Sequence, residues 1–122
     1  MVEAVSPDAK RFLVVTRKPV LALDLQEMLS GLDGARAEVA ATLDAPWEGP
    51  FDVAFLGAPV AELVAHPKVQ ALATSGTRIV VLGGDPQVQD YARTGFHPLV
   101  QPFRTEEVEA LLRHFGMPVG EA

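Results

Sequence analysis

Charged side chains that could bind a ligand stand directly after the first strongly apolar stretch of the chain. The run from Phe12 to Thr16 is followed by Arg17 and Lys18. In an open α/β sheet, ligands bind beyond the carboxyl ends of the strands, so these two cations could contact an anion there. Charged loop residues are more often simply solvated. Arg17 and Lys18 are therefore candidate anion contacts, with solvated charges as the simpler interpretation.

Glycines at three strand ends offer a second candidate for phosphate binding. Gly57, Gly83 and Gly84 each follow an apolar run, and backbone N–H groups at such turns can hold a phosphate. No G-x-G-x-x-G or P-loop pattern follows any of these runs. Because a tight turn by itself favours glycine, we prefer the interpretation that these glycines serve the turns.

Residue sets for metal binding or nucleophilic catalysis are not found. His66, His97 and His114 are far apart in the chain and lack the i, i+4 spacing of a metal site. The chain has no cysteine, which excludes disulfides and thiolate ligands. Ser30 and Ser75 have no neighbouring base that would activate a hydroxyl. We therefore predict no catalytic residues, no metal and no cofactor, and expect that the protein is not an enzyme.

The elements that must position these residues alternate between strand and helix. Strands are predicted at 11–16, 35–41, 51–56, 78–82 and 97–101. Helices are predicted at 19–32, 67–75, 86–94 and 105–115, with a short turn at 60–65. Apolar runs without polar alternation are typical of parallel strands that are covered on both faces. Right-handed crossovers then give a flavodoxin-like, doubly wound α/β fold with a five-stranded parallel sheet in the order 2-1-3-4-5.

Helical spacing and end residues refine this prediction. Pro19 suits the first position of the first helix, because its missing N–H has no helical partner there. Gly34 is a natural terminator of the same helix, and Thr105 is the predicted cap of the last one. The predicted buried stripes are Leu21, Leu25, Met28 and Leu32 on the first helix, and Val108, Leu111, Leu112 and Phe115 on the last.

The crossover between the second and third strands is too short for an ordinary helix. About ten residues separate Ala41 from Phe51, and a parallel crossover needs at least roughly 10–12. Pro46, Gly49 and Pro50 interrupt even this span. We therefore expect a shortened or missing second helix. Trp47, the only tryptophan, would either cover the exposed sheet or anchor an interface, for which tryptophan is enriched.

Length and charge bound the function. The 122 residues are expected to form one domain, with a core at about 11–116, a loose lead-in at 1–9 and a tail at 117–122. A net charge of −6 disfavours binding to nucleic acid, whose phosphates need a basic surface. No apolar run is long enough to span a membrane. The N-terminus lacks a signal-peptide pattern, so we expect a cytoplasmic protein.

Over about 11–115 the chain resembles a response-regulator receiver domain. The resemblance rests on the first strand, Phe12 to Val15, followed by a helix that begins with proline. Leu21 to Leu25 is similar to a segment common in stand-alone receivers. Asp52 to Leu56 resembles the strand that leads to the phosphoacceptor, and Val100 to Phe103 resembles the family's Lys-Pro-Phe.

The resemblance also implies where the phosphorylation chemistry would stand. That family transfers phosphate from a histidine kinase to an aspartate, with Mg²⁺ held by carboxylates. The acidic pair falls on Thr16 and Arg17, and the phosphoacceptor falls on Gly57. The hydroxyl residue falls on Gly83 and the lysine on Gln101. None of these residues carries the carboxylate that would form the acyl phosphate or hold Mg²⁺, so the resemblance implies a pseudo-receiver that lacks the family's activity.

These observations lead to two expected functions. The first is a non-phosphorylatable signalling module, in a two-component or phosphorelay-like setting, that binds a protein partner or forms a homodimer. The short crossover and the third helix would supply the interface, with the residues Trp47, Val60, Leu63 and Val64. The alternative is a sensor of an anion or small ligand, which would bind in a pocket at the strand ends formed by Arg17, Gly57 and Gly83, with Arg17 and Lys18 as possible anion contacts.

Overall fold

The computed structural model of the protein describes residues 11–30, 36–45, 47, 50–82, 95–99 and 103–115. Within these ranges the strands are β1 (Arg11–Val15), β2 (Arg36–Ala40), β3 (Val53–Leu56), β4 (Arg78–Leu82) and β5 (His97–Leu99). The helices are α1 (Pro19–Ser30), α2 (Val60–Ala65), α3 (Pro67–Thr74) and α4 (Thr105–His114). The predicted helix at 86–94, the end of α1 at Gly34 and the positions Gly83, Gly84 and Gln101 lie outside the described residues.

The five strands form one sheet in the order β2-β1-β3-β4-β5. Every neighbouring pair is parallel. β1 and β3 lie in the interior of the sheet, and all four residues of β3 are buried. This is the expected environment of apolar runs that lack alternation, because both faces of such a strand are covered. The predicted flavodoxin-like fold class and strand order are confirmed.

Two apolar clusters fill the space on the two faces of the sheet. The first cluster joins alternate strand residues to α1 and α4, and includes Phe12, Val14, Phe55, Leu25, Leu29, Val108 and Leu112. The second joins the other strand residues to α2, α3 and the β2–β3 crossover, and includes Leu13, Val15, Leu56, Leu63, Val69 and Leu72. Successive side chains of a strand point to opposite faces, which separates the two clusters.

The predicted buried stripe of α1 is partly wrong. Leu25 is fully buried as expected, but its buried companions are Ala22 and Leu29. Leu21 and Met28 pack against the cluster only in part, and Leu32 lies outside the described residues. Positions 22, 25 and 29 follow the i, i+3, i+7 spacing of one helix face. The observed stripe is therefore displaced by one position from the predicted one on either side of Leu25.

The N-terminal cap of α4 lies one residue before the predicted one. Arg104, not Thr105, is the capping residue, with extended backbone angles. Its backbone N–H donates to Oε1 of Glu107 at 2.7 Å, so the carboxylate reaches back over the first turn as in a capping box. The buried residues of α4 are Val108 and Leu112, while Leu111 and Phe115 are partly buried.

The β2–β3 crossover contains no helix among residues 41–45, 47 and 50–52. A turn in which the N–H of Ala45 donates to the carbonyl of Thr42 at 3.2 Å takes its place. This agrees with the predicted loss of the second helix of the receiver pattern. The predicted break at Pro67 is also present, since α2 ends before His66 and Pro67 begins α3. None of the described helices is long and apolar enough to cross a membrane.

Candidate functional site

The candidate site lies where β1 and β3 end side by side. The N–H of Thr16 donates to the carbonyl of Ala40 at 3.1 Å, and the N–H of Gly57 donates to the carbonyl of Val15 at 2.7 Å. These bonds continue the sheet by one residue beyond β1 and β3. They bring Thr16, Arg17 and Gly57 together, as the parallel topology predicts.

The polar groups on the β1 side serve the turn into α1. Thr16 is buried, and its Oγ1 accepts a hydrogen bond from the N–H of Lys18 at 3.2 Å. Arg17 and Lys18 are exposed, and neither forms an ion pair with another described residue. The arrangement is a solvated basic loop whose hydroxyl is already engaged in local structure.

Gly57 occupies a position with little room for a side chain. A Cβ atom there would lie 3.2 Å from the carbonyl oxygen of Val15 and 3.4 Å from Cβ and Oγ1 of Thr16. The backbone of β3 therefore approaches β1 closely at this point, which favours glycine. A larger residue at 57 would require β1 to give way by a few tenths of an ångström.

A groove of about 300 Å³ opens beside these strand ends. Its charged lining residues are the cation of Arg17 and the carboxylates of Asp44 and Glu62, and His66 adds an imidazole ring. Nδ1 of His66 accepts from the N–H of Lys68 at 3.2 Å, which leaves Nε2 as the ring N–H, 3.3 Å from Oδ1 of Asp44. The lining is thus mixed in charge and does not present a basic surface to an anion.

Trp47 covers the sheet beside this groove. Its ring is partly buried and packs against the cluster that contains Leu63. Nζ of Lys68 lies 3.9 Å from the centroid of the Trp47 ring, and the same ammonium donates to the carbonyl of Ala45 at 2.6 Å. A single lysine of α3 therefore holds the crossover at two points, by a cation–π contact and a charged hydrogen bond.

The predicted interface is wrong at Leu63. That residue is the buried residue of α2, with 0% of its surface exposed. Val60 and Trp47 are partly buried against the same cluster, while Val64 is 42% exposed. A short helix that lies on a sheet must turn one side inward, and the sequence could not show that Leu63 is on that side.

The histidines at positions 97 and 114, far apart in the chain, are brought together by the fold. Their ring centroids are 5.8 Å apart, and the ring of Phe115 lies 4.7 Å from that of His97. Burial lowers the pKa of His97, and the positive charges of His114 and Arg78 lower it further. Arg78 would also repel a cation, and no group of three metal-ligating side chains occurs among the described residues.

Comparison with known proteins supports the fold. No family model matches the chain, and no curated protein matches it. The structure resembles the chemotaxis protein CheY4 of Vibrio cholerae, with a TM-score of 0.62 and 22% identity, over 87% of this chain and 98% of CheY4. It also resembles a putative pilus assembly-related protein of Burkholderia pseudomallei, with a TM-score of 0.68 and 18% identity over 98% of both chains. The chain therefore has a CheY-like receiver fold.

Proposed function

We propose that this protein is a non-phosphorylatable, receiver-like signalling module that acts by binding another protein. The observation that carries the proposal is Gly57 at the end of β3, which offers no carboxylate and where even a Cβ atom would lie 3.2 Å from the carbonyl oxygen of Val15. An acyl phosphate needs a carboxylate nucleophile, and Mg²⁺ needs oxygen ligands in place of the cation of Arg17.

Carboxylates before β3, on the crossover and on α2 do not stand at the position of the phosphoacceptor. Oδ2 of Asp52 accepts the N–H of Arg11 at 2.8 Å, at the opposite end of β3. Asp44 lies against His66 on the crossover, and Glu62 is exposed on α2. With no phosphoacceptor among Thr16, Arg17 and Gly57, the surface of the fold becomes the means of action. The two structural neighbours, named as a chemotaxis protein and a pilus assembly-related protein, favour a two-component or phosphorelay-like setting in the cytoplasm.

The alternative is an anion or small-ligand sensor that uses the groove beside Arg17. The groove is of a suitable size for a small ligand. The carboxylates of Asp44 and Glu62 in its lining would repel an anion. The backbone N–H of Gly57 already donates a hydrogen bond to the carbonyl of Val15. Because the basic charge is balanced and the backbone donor is occupied, we favour protein binding over the sensor.

The chemical half of the proposal is tested with acetyl phosphate and Mg²⁺. We expect the intact mass to stay unchanged, while a phosphorylatable receiver treated in parallel gains a phosphate. The matched variants are Gly57→Ala and Gly57→Asp. Both variants place a Cβ atom close to the carbonyl oxygen of Val15, but only Gly57→Asp adds a carboxylate. We expect the Gly57→Asp protein also to stay unmodified, because Thr16 and Arg17 cannot hold Mg²⁺. A phosphate adduct on wild-type protein, located by fragmentation, would overturn the proposal.

The same preparation separates the two candidate functions. A ligand that binds the folded state raises the thermal midpoint, so the protein is heated with Mg²⁺, phosphate, acetyl phosphate or nucleotides. The proposed module shows no rise with any of them. A rise that grows with phosphate concentration and disappears in Arg17→Ala would instead establish the sensor.

A further inference from the structure

An exposed apolar surface lies where α1 meets the edge strand β2. Val20 is 70% exposed, Leu23 60% and Val39 39%, and these are three of the four large exposed aliphatic side chains among the described residues. A groove of about 430 Å³ between the two elements is lined by Pro19, Ala22, Leu23, Val39 and Ala41 together with Thr16, Arg17 and Gln26. We call this surface the α1–β2 edge. Its apolar residues cluster on one side of the molecule, whereas the fourth exposed aliphatic residue, Val64, lies on α2.

The outer backbone of β2 is open to a further strand. β2 is the first strand of the sheet order and pairs with β1 alone. The carbonyl of Ala40 accepts from Thr16 on the inner side, so the alternate residues Ala37 and Val39 direct their N–H and C=O groups outward. Nε2 of Gln26 donates to the carbonyl of Ala37 at 3.5 Å, and no described residue bonds the outer groups of Val39. Edge strands of this kind are templates for pairing with another chain.

We propose that the α1–β2 edge binds a second copy of this chain, with the two β2 strands antiparallel about a two-fold axis at Val39. This inference rests on the proposed function, because it names a second copy as the protein that is bound. A two-fold contact uses the same surface on both copies. Val39 and Leu23 line one groove, so the axis at Val39 also brings together the exposed aliphatic side chains of both α1 helices.

The register follows from comparing the three symmetric pairings that are centred on the inner residues of the five-residue strand β2. An axis at Glu38 would set like charges opposite each other, which is destabilising. An axis at Ala37 would pair Arg36 with Glu38 of the second copy, but it would leave the aliphatic residues away from the centre. Burying aliphatic side chains contributes more than an exposed ion pair. The pairing with its axis at Val39 is therefore favoured over the other two. In this pairing Glu38 lies opposite Ala40 of the second copy.

Charges just before α1 and in its C-terminal half suit the same arrangement, although Asp24 of each copy, exposed beside Leu23, lies near the axis. Two antiparallel copies of α1 that meet at Leu23 place the N-terminal end of each helix beside the C-terminal half of the other. The exposed cations Arg17 and Lys18 of one copy then lie toward the exposed carboxylate of Glu27 in the second copy. This complementarity between two ends of one element favours a second copy over an unrelated partner.

Sedimentation across a wide concentration range tests the proposal. The variants Leu23→Lys and Val39→Lys place a cation at the centre of the contact, and Val64→Lys is the matched control on α2. We expect wild-type protein and Val64→Lys to dimerise, and the two edge variants to dissociate at least about tenfold more readily. Circular dichroism checks that all three variants fold, as expected for exposed positions. A monomeric wild-type protein, or a dimer that survives both edge substitutions, would overturn the proposal.

Because the chain has no cysteine, single thiols test the register directly. Residues that directly face each other in a hydrogen-bonded antiparallel pair have Cα atoms about 5.5 Å apart, within the roughly 4.4–6.8 Å that a disulfide spans. Val39→Cys should form a disulfide-linked dimer under mild oxidation, and Val64→Cys should not. Faster cross-linking of Ala37→Cys than of Val39→Cys would overturn the register.

The contribution of charge to dimerisation is measured by sedimentation of further variants. Glu27→Lys should weaken the dimer at low salt, and the effect should shrink as added salt screens the charges. Glu62→Lys, the matched change on α2, should leave the dimer unchanged. Equal effects of the two substitutions would overturn the charge assignment. Failure of dimerisation would leave the phosphorylation result standing, so the two proposals fail separately.

Discussion

The two faces of the sheet are covered in different ways. On one face, the regular helices α1 and α4 cover Phe12, Val14 and Phe55. On the other, α2 and α3 share the cover with the irregular β2–β3 crossover. A helix satisfies its own backbone, so its side chains are free to pack. The crossover has no such internal ladder, and its position depends on contacts with α3.

Polar contacts add to the apolar packing of Leu43 and Phe51 in holding the crossover. Lys68 lies over Trp47 and bonds the carbonyl of Ala45, while His66 lies beside Asp44. The described part of the crossover is thus held by two residues at the start of α3 together with its own buried side chains. We therefore expect that single substitutions outside the core change the stability little on the face covered by α1 and α4. On the face covered by the crossover, single substitutions of partly exposed residues should lower the stability.

The largest expected effect compares one core leucine from each face. Leu25 on α1 and Leu63 on α2 are both fully buried, and replacing either by alanine should cost about 2–5 kcal/mol of unfolding free energy. We expect Leu63→Ala to fall nearer the lower bound, because the crossover can relax toward the space that is left. Urea unfolding measures both, with the exposed Val64→Ala as the control. A greater loss for Leu63→Ala than for Leu25→Ala would contradict the difference between the faces.

The crossover contacts should give the next largest effect. Trp47→Ala removes a partly buried ring from the cluster, and we expect a loss of about 1–3 kcal/mol. Lys68→Met keeps the apolar stem but removes the cation–π contact, worth about 0.5–2 kcal/mol, and the hydrogen bond to Ala45.

Fluorescence emission of the single tryptophan tests the Lys68→Met substitution. The emission maximum should shift to the red in this variant as the ring of Trp47 gains contact with water. Lys18→Met, at an exposed loop, serves as the control and should leave the spectrum as in the wild type. An unchanged spectrum in Lys68→Met would mean that the crossover is held by other contacts.

The smallest expected effect is a change in the pH dependence of stability, and it concerns His97 on β5. Burial lowers the pKa of His97 in the folded protein below 6.5, so the unfolded chain takes up a proton more readily. The stability that neutral His97 contributes is complete above that pH and declines as the pH falls below it. Thermal midpoints measured from neutral to mildly acidic pH should fall less steeply in His97→Gln than in wild-type protein. Parallel pH profiles would show that His97 is not the group concerned.

Much of the fold could be predicted from local patterns. β4 matches its predicted range of 78–82, and the break between α2 and α3 falls at Pro67 as expected. These features depend on apolar run length and on proline, both of which act over a few residues. The short crossover was predicted by counting, since about ten residues are at the lower limit for a strand connection with its helix, and by Pro46, Gly49 and Pro50 within that span.

The candidate site was predicted in part for the same reason. Parallel strands end at one edge of a sheet, so Thr16, Arg17 and Gly57 had to lie near each other once the strand order was known. The sequence did not indicate that the N–H of Gly57 is already bonded to Val15, or that Asp44 and Glu62 balance the charge of Arg17 in the groove.

The sequence by itself thus determined the order of the elements, the parallel sheet and the absence of a carboxylate from the ends of β1 and β3. Tertiary structure alone decided which sides of α1 and α2 face the sheet. It buried Leu63, exposed Leu23 beside Val39, set Lys68 over Trp47 and paired His97 with His114. The physical reason is range: strand and turn preferences act between neighbours in the chain, whereas burial depends on residues tens of positions away that only the packed sheet brings into contact.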